Sequence, residues 1–429
     1  MSGVQGHPIV PGRPYLARVV ALPGAAGLLG LLVGDRLLQV EPPAEQPVPL
    51  VLGDLVRIVL AAPDALRSLE RVGGPLHAPT DGAWQETGDA LRWRQPGRQP
   101  SRLQFLAWRH QVFRNLRGLL DAQGFLEVDT PALVPAPSPE PQFRPMAAED
   151  GFLITSPEFQ LKRLLVGGCE RIYRLGAVYR GHESGVHHNP EFTMLEWYRV
   201  DAGVDALQRD VEAMLAAQAA VLFEAAARHE GAATTRLREL AGALAHTPYR
   251  SATMAELFAE YLGLDLRGVT TTPALVAAAR EAGVADVQAL PPAFDDAFFA
   301  LWERIETRLP PAPLFVTEWP APLASLARLK PDDPTVAERV ELYAGGLELA
   351  NGFVELTDAA EQRRRFAVDL AARQVRGLPP LPLDERFLGA LGEGMPPAAG
   401  MALGVERLVM LVTGAAEIRQ VLPFARDEL

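Results

Sequence analysis

The sequence predicts an α+β chain in two unequal parts, a small β-barrel followed by a larger domain of strands and helices. Three observations carry this. Short apolar runs punctuated by Gly, Pro and Asp fill residues 14–73. Helical periodicity begins abruptly at residue 101. The 429 residues, 48% apolar and 22% charged, exceed one small core and exclude a disordered or fibrous chain.

Each element follows from local pattern. LARVVAL, GLLGLLV, RLLQVEP and LVRIVLA read as strands, and three strands, a connection and more strand suggest a barrel of OB-fold type. Residues 74–100 are turn-rich and polar and read as a linker. Two domains are therefore expected, residues 1–95 (barrel and linker) and residues 101–429. SRLQFLAWRHQVFRNLRGLLDAQGF reads as a helix with Ser101 as N-cap and Gly124 as terminator. FLEVDTPALV reads as a strand ending at Pro131. Residues 204–230 and 251–308 read as helices, and 339–357 as two strands around Gly345-Gly346. GMALGVERLVMLVTG reads as a strand, a tight glycine turn and a helix.

Composition bounds the function. The apolar run at residues 25–34 is far shorter than the ~20 residues that span a bilayer, and no signal peptide is visible, so a cytoplasmic protein without membrane association is expected. A single cysteine, Cys169, excludes an internal disulfide and a multi-thiolate zinc site. The net charge of -12 lies in residues 101–429, because residues 1–100 hold nine acidic and nine basic side chains. That balance argues against a broad phosphate-tracking surface and suits a cationic substrate or a basic partner.

Three segments carry chemistry. In ELYAGGLELANGFVELTD (341–358), a two-residue turn at Gly345-Gly346 pairs Tyr343 with Glu348 and Glu341 with Ala350. Glu341, Tyr343, Glu348 and Ala350 then share a face, with the two glutamates as diagonal neighbours. Two such carboxylates suit Mg²⁺ bound with a polyphosphate, or are unrelated residues on a solvated strand. In YRGHESGVHHNPEFTMLEWYR (179–199), Arg180 projects from a strand end. Phe192, Met194, Glu196 and Tyr198 share a face of the next strand. A glutamate among aromatics fits a ligand ammonium, or else lies solvated on an edge. His182, His187 and His188 lack a carboxylate or cysteine at ligand spacing, so zinc is not expected. In GMALGVERL (400–408), Gly404 and Arg407 fall at a strand-to-helix turn, where an arginine can bind phosphate.

Together with TSPEFQLKRLLVGG, these segments resemble the catalytic domain of class II aminoacyl-tRNA synthetases of lysyl type over residues 101–429. The closest resemblance is to the lysyl-tRNA-synthetase-like ligases of the EpmA family, which attach (R)-β-lysine to elongation factor P. The resemblance implies an antiparallel sheet flanked by helices, and ATP and Mg²⁺ as cofactors. It assigns Arg180 to the α-phosphate and Arg407 to the γ-phosphate as catalytic residues. His182, Glu183, Asn189, Phe192, Glu348, Leu349 and Gly404 complete the ATP site, and Glu341 with Glu348 holds Mg²⁺. Ser156, Glu158, Glu196, Tyr198, Asn351, Glu355 and Ala402 form the amino-acid pocket for lysine or (R)-β-lysine. A homodimer is implied, built on residues 103–132. In place of the family's Arg-x-Glu, His182 stands where adenine is read, with Glu183 one step later.

Residues 1–80 contain one aromatic, Tyr15, no lysine, and six arginines balanced by six acids. That is poor equipment for an anticodon. Elongation factor P is therefore the expected acceptor and tRNA is not. A lysyl-tRNA synthetase and a non-catalytic paralogue are the alternatives.

Overall fold

In a computed structural model of the chain, the described residues are 10–21, 28–33, 36–42, 50, 54–62, 65–73 and 100–429. The linker assigned to 74–100 thus lies, but for residue 100, outside the described residues. The chain divides into two compact units, Met1–Gln111 and Val112–Leu429.

In the first unit, β1 (Pro14–Ala21), β2 (Leu29–Val33), β3 (Arg36–Val40), β4 (Leu55–Ala62) and β5 (Ala65–Gly73) form an antiparallel sheet in the order β3-β2-β1-β4-β5. This is consistent with an OB-like domain. Alternate residues of the strands, among them Ala17, Val19, Leu31, Val56 and Ile58, make its core. The fifth strand, ALRSLERVG, was not expected. It is largely exposed, so its sequence lacks a buried stripe.

The helix α1 (Arg102–Ala122) spans the division between the units. Ser101 precedes it, and its Oγ accepts from the Gln104 amide at 3.4 Å. Gly124, at φ 77°, follows its end.

The second unit is built on eight strands. These are β6 (Leu126–Glu127), β10 (Arg171–Tyr179), β11 (Glu191–Val200), β12 (Arg250–Thr253), β13 (Leu314–Pro320), β14 (Val336–Ala344), β15 (Leu347–Val354) and β16 (Ala398–Gly404). Their order is β12-β13-β14-β15-β16-β11-β10-β6. All neighbours are antiparallel except β12–β13 and β10–β6. A small sheet of β7 (Leu133–Val134), β8 (Ala147–Ala148) and β9 (Gly151–Leu153) stands beside it. FLEVDTPALV is therefore not one strand. It pairs with β10 for two residues, then passes through Pro131 into β7.

The remaining helices are α2 (Glu158–Val166), α3 (Val204–Ala216), α4 (Ala219–Arg228), α5 (Ala232–Leu244), α6 (Met254–Leu262), α7 (Thr272–Glu281), α8 (Phe294–Glu306), α9 (Ala359–Val375), α10 (Glu385–Gly394) and α11 (Val405–Thr413). Two cores fix the functional strands. Phe258, Phe298, Trp302 and Trp319 pack α6 and α8 against β13 and β14. Phe159 of α2 stacks on Phe387 of α10, with centroids 4.3 Å apart, in a cluster that also holds Ile172, Tyr198 and Phe366. Burying each such side chain stabilises by roughly 1.5–3 kcal/mol. The second cluster therefore locks α2 against β10 and β11.

Candidate active site

Ladder registers place the site residues in rows across the central sheet. Glu341, Asn351, Ala402 and Glu196 are successive partners from β14 through β15 and β16 to β11. One row further along lie Arg339, Phe353, Gly400 and Tyr198. In the other direction Gly404 partners Met194, and Phe192 follows two residues on. Partners across a ladder share a face, so these rows form one floor. From Tyr198 to Phe192 that floor is about 20 Å long, at roughly 3.3 Å per residue.

The β14–β15 register corrects the hairpin expectation. Gly345 and Gly346, at φ 61° and 79°, make the turn, and Tyr343 does pair with Glu348. A bulge then shifts the ladder, so Glu341 pairs with Asn351 and Ala350 pairs with Leu342. Ala350 leaves the face on which it was expected. The extra residue lets Glu348 and Asn351, three apart, both join the floor beside Glu341.

A cavity of about 550 Å³ covers this floor, a size suited to small ligands. Ser156, Glu158, Arg180, Glu183, Asn189, Phe192, Glu196, Tyr198, Glu341, Glu348, Leu349, Asn351, Ala402, Gly404 and Arg407 all line it. Two expected residues do not. His182 is exposed at φ 66° while Glu183 lines the cavity, so the loop turns the later acid inward. Glu355, just past the end of β15, is 1% exposed and does not reach the cavity lining.

The two ends of the cavity differ in charge. At one end, the Arg180 guanidinium lies 4.2 Å from the Phe143 ring centroid and 5.3 Å from that of Phe192. Its Nε donates to the Thr155 carbonyl at 3.4 Å, and burial lowers its pKa. Arg407 donates to the Glu348 carbonyl at 2.8 Å and approaches the Glu348 carboxylate at 3.5 Å. Its other terminal nitrogen meets His188 Nε2 at 2.6 Å. Burial and the Arg407 charge lower the His188 pKa, so the neutral ring accepts that hydrogen bond.

At the other end, Glu196 is 2% exposed. Ser156 Oγ and the Tyr198 hydroxyl each donate to it at 2.7 Å. Burial, then the Glu158 charge, pushes Glu196 up to about 7. Lys162, one turn beyond Glu158 on α2, is 0% exposed and lies 2.5 Å from both Glu158 and Glu355. Burial pushes Glu355 up to about 8, against the pull of Lys162. Gly400 is required here, because a Cβ would meet the Tyr198 ring at 2.2 Å and Glu355 Oε1 at 2.7 Å. Between the ends, Glu341 accepts from Arg339 and Tyr343 at 2.7 Å, and burial raises it to about 7.

Three residues escaped the sequence reading, and a fourth, His188, was weighed there only as a zinc ligand. Lys162, Phe143, Arg339 and His188 each act through a neighbour in space. Only Lys162 carried a signal, as one of two lysines among 41 basic residues and four positions after Glu158.

One sheet floor thus carries a cationic end and an acidic end. The chain belongs to the class II tRNA synthetases (D, K and N), whose family model matches residues 85–428. Among its relatives is an elongation factor P–(R)-β-lysine ligase from Edwardsiella ictaluri, 37% identical over 332 residues, which are 74% of this chain and 94% of that protein. Ligases of the same name from Photorhabdus laumondii and Enterobacter are 36% and 35% identical, over 93% and 94% of their lengths.

Proposed function

We propose that the protein activates lysine or (R)-β-lysine with ATP and transfers the acyl group to a lysine of elongation factor P. One observation carries this: a single cavity holds buried Glu196 at one end and Arg180 with Arg407 at the other. A buried carboxylate without a basic partner of its own invites a ligand ammonium. Two arginines along the same floor suit a triphosphate.

In this reading the substrate carboxylate attacks the α-phosphorus and pyrophosphate leaves. Arg180, held by two rings, neutralises charge on the α-phosphoryl oxygens, while Arg407 holds the far end of the polyphosphate. Glu183 and Asn189 bind the nucleotide beside Phe192 and Gly404. Glu341 and Glu348 offer hard oxygen donors on one face and would hold Mg²⁺, which neutralises the leaving group. An uncharged amine of the acceptor then attacks the acyl carbon and releases AMP.

The relatives' names support elongation factor P as acceptor. An OB-like sheet order also suits tRNA binding, which is the second reading. Against it, Arg57 pairs with Glu70 and Arg71 with Asp54, so these arginines are already neutralised. Residues 1–95 are read as a separate barrel domain, the protein as a cytoplasmic homodimer. ATP–pyrophosphate exchange that depends on Mg²⁺ and on a lysine isomer is the expected result. Absence of exchange with either isomer would refute the reading.

A further inference from the structure

Lys162 is a buried ammonium inside a pocket read as built to receive ammonium groups. It is 0% exposed, lies 2.5 Å from carboxylate oxygens of both Glu158 and Glu355, and is 5.4 Å from the Phe353 ring centroid. Within the same cluster stands a third carboxylate, Glu196, whose two direct donors, Ser156 and Tyr198, are both uncharged. Two further charged groups stand near it, and the charge of the first, Arg174, reaches Glu196. Arg174 partners Glu196 in the ladder but directs its guanidinium to the Ala177 carbonyl, and its ion pair is with Asp129 at 4.0 Å. Glu140, whose charge also reaches Glu158, accepts from Ser138 and Ser325.

Three carboxylates face one internal ammonium, and the excess acid is met by protons held on Glu196 and Glu355 until a ligand ammonium displaces them. Buried charges need opposite charge in reach, and removing one partner leaves the other unpaired. From this geometry we infer that Lys162 is a positioning and selectivity residue. Its ammonium cancels one of three carboxylates, so the pocket is neutralised by an amino acid bearing two ammonium groups and not by one bearing a single ammonium. Glu355, which does not line the cavity, serves as the tether of Lys162, while Glu158, which does, is shared between Lys162 and the substrate. This inference rests on the reading of lysine or its β-isomer as substrate.

The test is calorimetric binding of L-lysine, (R)-β-lysine and norleucine, which lacks the side-chain amine, with ATP binding as control. In Lys162→Met, Glu158 and Glu355 lose the cation that lowers their pKa and hold their protons more tightly, so a substrate ammonium displaces them less readily. Affinity for the preferred lysine isomer at pH 7 falls about tenfold or more, a pKa unit per tenfold, and recovers towards pH 9. Affinity for ATP stays the same. The paired change Lys162→Met with Glu355→Gln removes one charge of each sign outside the cavity lining. It brings that affinity back to within about threefold of wild type and keeps norleucine excluded. A single variant that binds lysine like wild type, or a paired variant no better than the single, overturns the inference. If the single variant does not fold, the paired variant decides alone: recovery supports the inference and its failure overturns it. A wild type that binds neither isomer overturns the substrate reading and the inference with it, whereas lack of recovery alone strikes only the role of Lys162.

Discussion

The two ends of the cavity solve opposite problems with one set of strands. At the cationic end, Arg180 is held by two rings and a carbonyl, which leave its charge available, and Arg407 by a carbonyl, a neutral imidazole and, at 3.5 Å, the Glu348 carboxylate. At the acidic end, carboxylates are held by hydroxyls and by one buried lysine. The difference teaches how charge is stored. Arginine stays protonated when desolvated, so rings can surround it. Carboxylates yield to burial by taking protons, and Glu196 and Glu355 rise to about 7 and 8.

The strongest way to break this contrast is at the cationic end. Arg180→Ala should remove about 3 kcal/mol of transition-state stabilisation, roughly a hundredfold in exchange rate. A fully active variant would exclude Arg180 from the chemistry. At the acidic end the loss should fall on binding instead. Glu196→Gln keeps the shape and removes the charge, so KM for the amino acid should rise by about 2 kcal/mol, roughly thirtyfold, with a smaller change in kcat. A loss confined to kcat would contradict the assignment of this end to substrate binding.

The acidic end should also be visible in stability. In the folded protein Glu196 and Glu355 hold protons up to about 7 and 8, above their ordinary value of 4.5. Unfolding therefore releases protons in that window, so their contribution to stability falls as pH rises from about 4.5 to about 8 and then levels. Bound lysine should flatten the slope. Thermal unfolding between pH 5.5 and 8, with and without lysine, checks this, and an equal slope in both would count against ammonium binding here. A smaller effect is expected between the ends. Glu348→Gln should raise the Mg²⁺ requirement several-fold, as expected for losing one of two carboxylate donors.

How far the sequence could be read varied with the range of the interactions. Phe192, Met194, Glu196 and Tyr198 alternate along one strand, so their common face was legible from spacing alone. The two-glycine turn was legible too, but the bulge beyond it was not, because nothing local marks Leu349 as the extra residue. Lys162 lies one helical turn from Glu158, yet its second partner is 193 positions away at Glu355, and only the packing of α2 on the sheet joins them. The strand β5 was missed because an exposed edge carries no buried stripe to read.

The central claim concerns the acceptor. Purified elongation factor P, incubated with the enzyme, ATP, Mg²⁺ and each lysine isomer, should gain the mass of one lysyl group on a lysine side chain. Under the same conditions, tRNA should remain uncharged. Efficient lysyl-tRNA formation with unmodified elongation factor P, lost on removing residues 1–95, would contradict the account and establish the N-terminal sheet as a working anticodon reader.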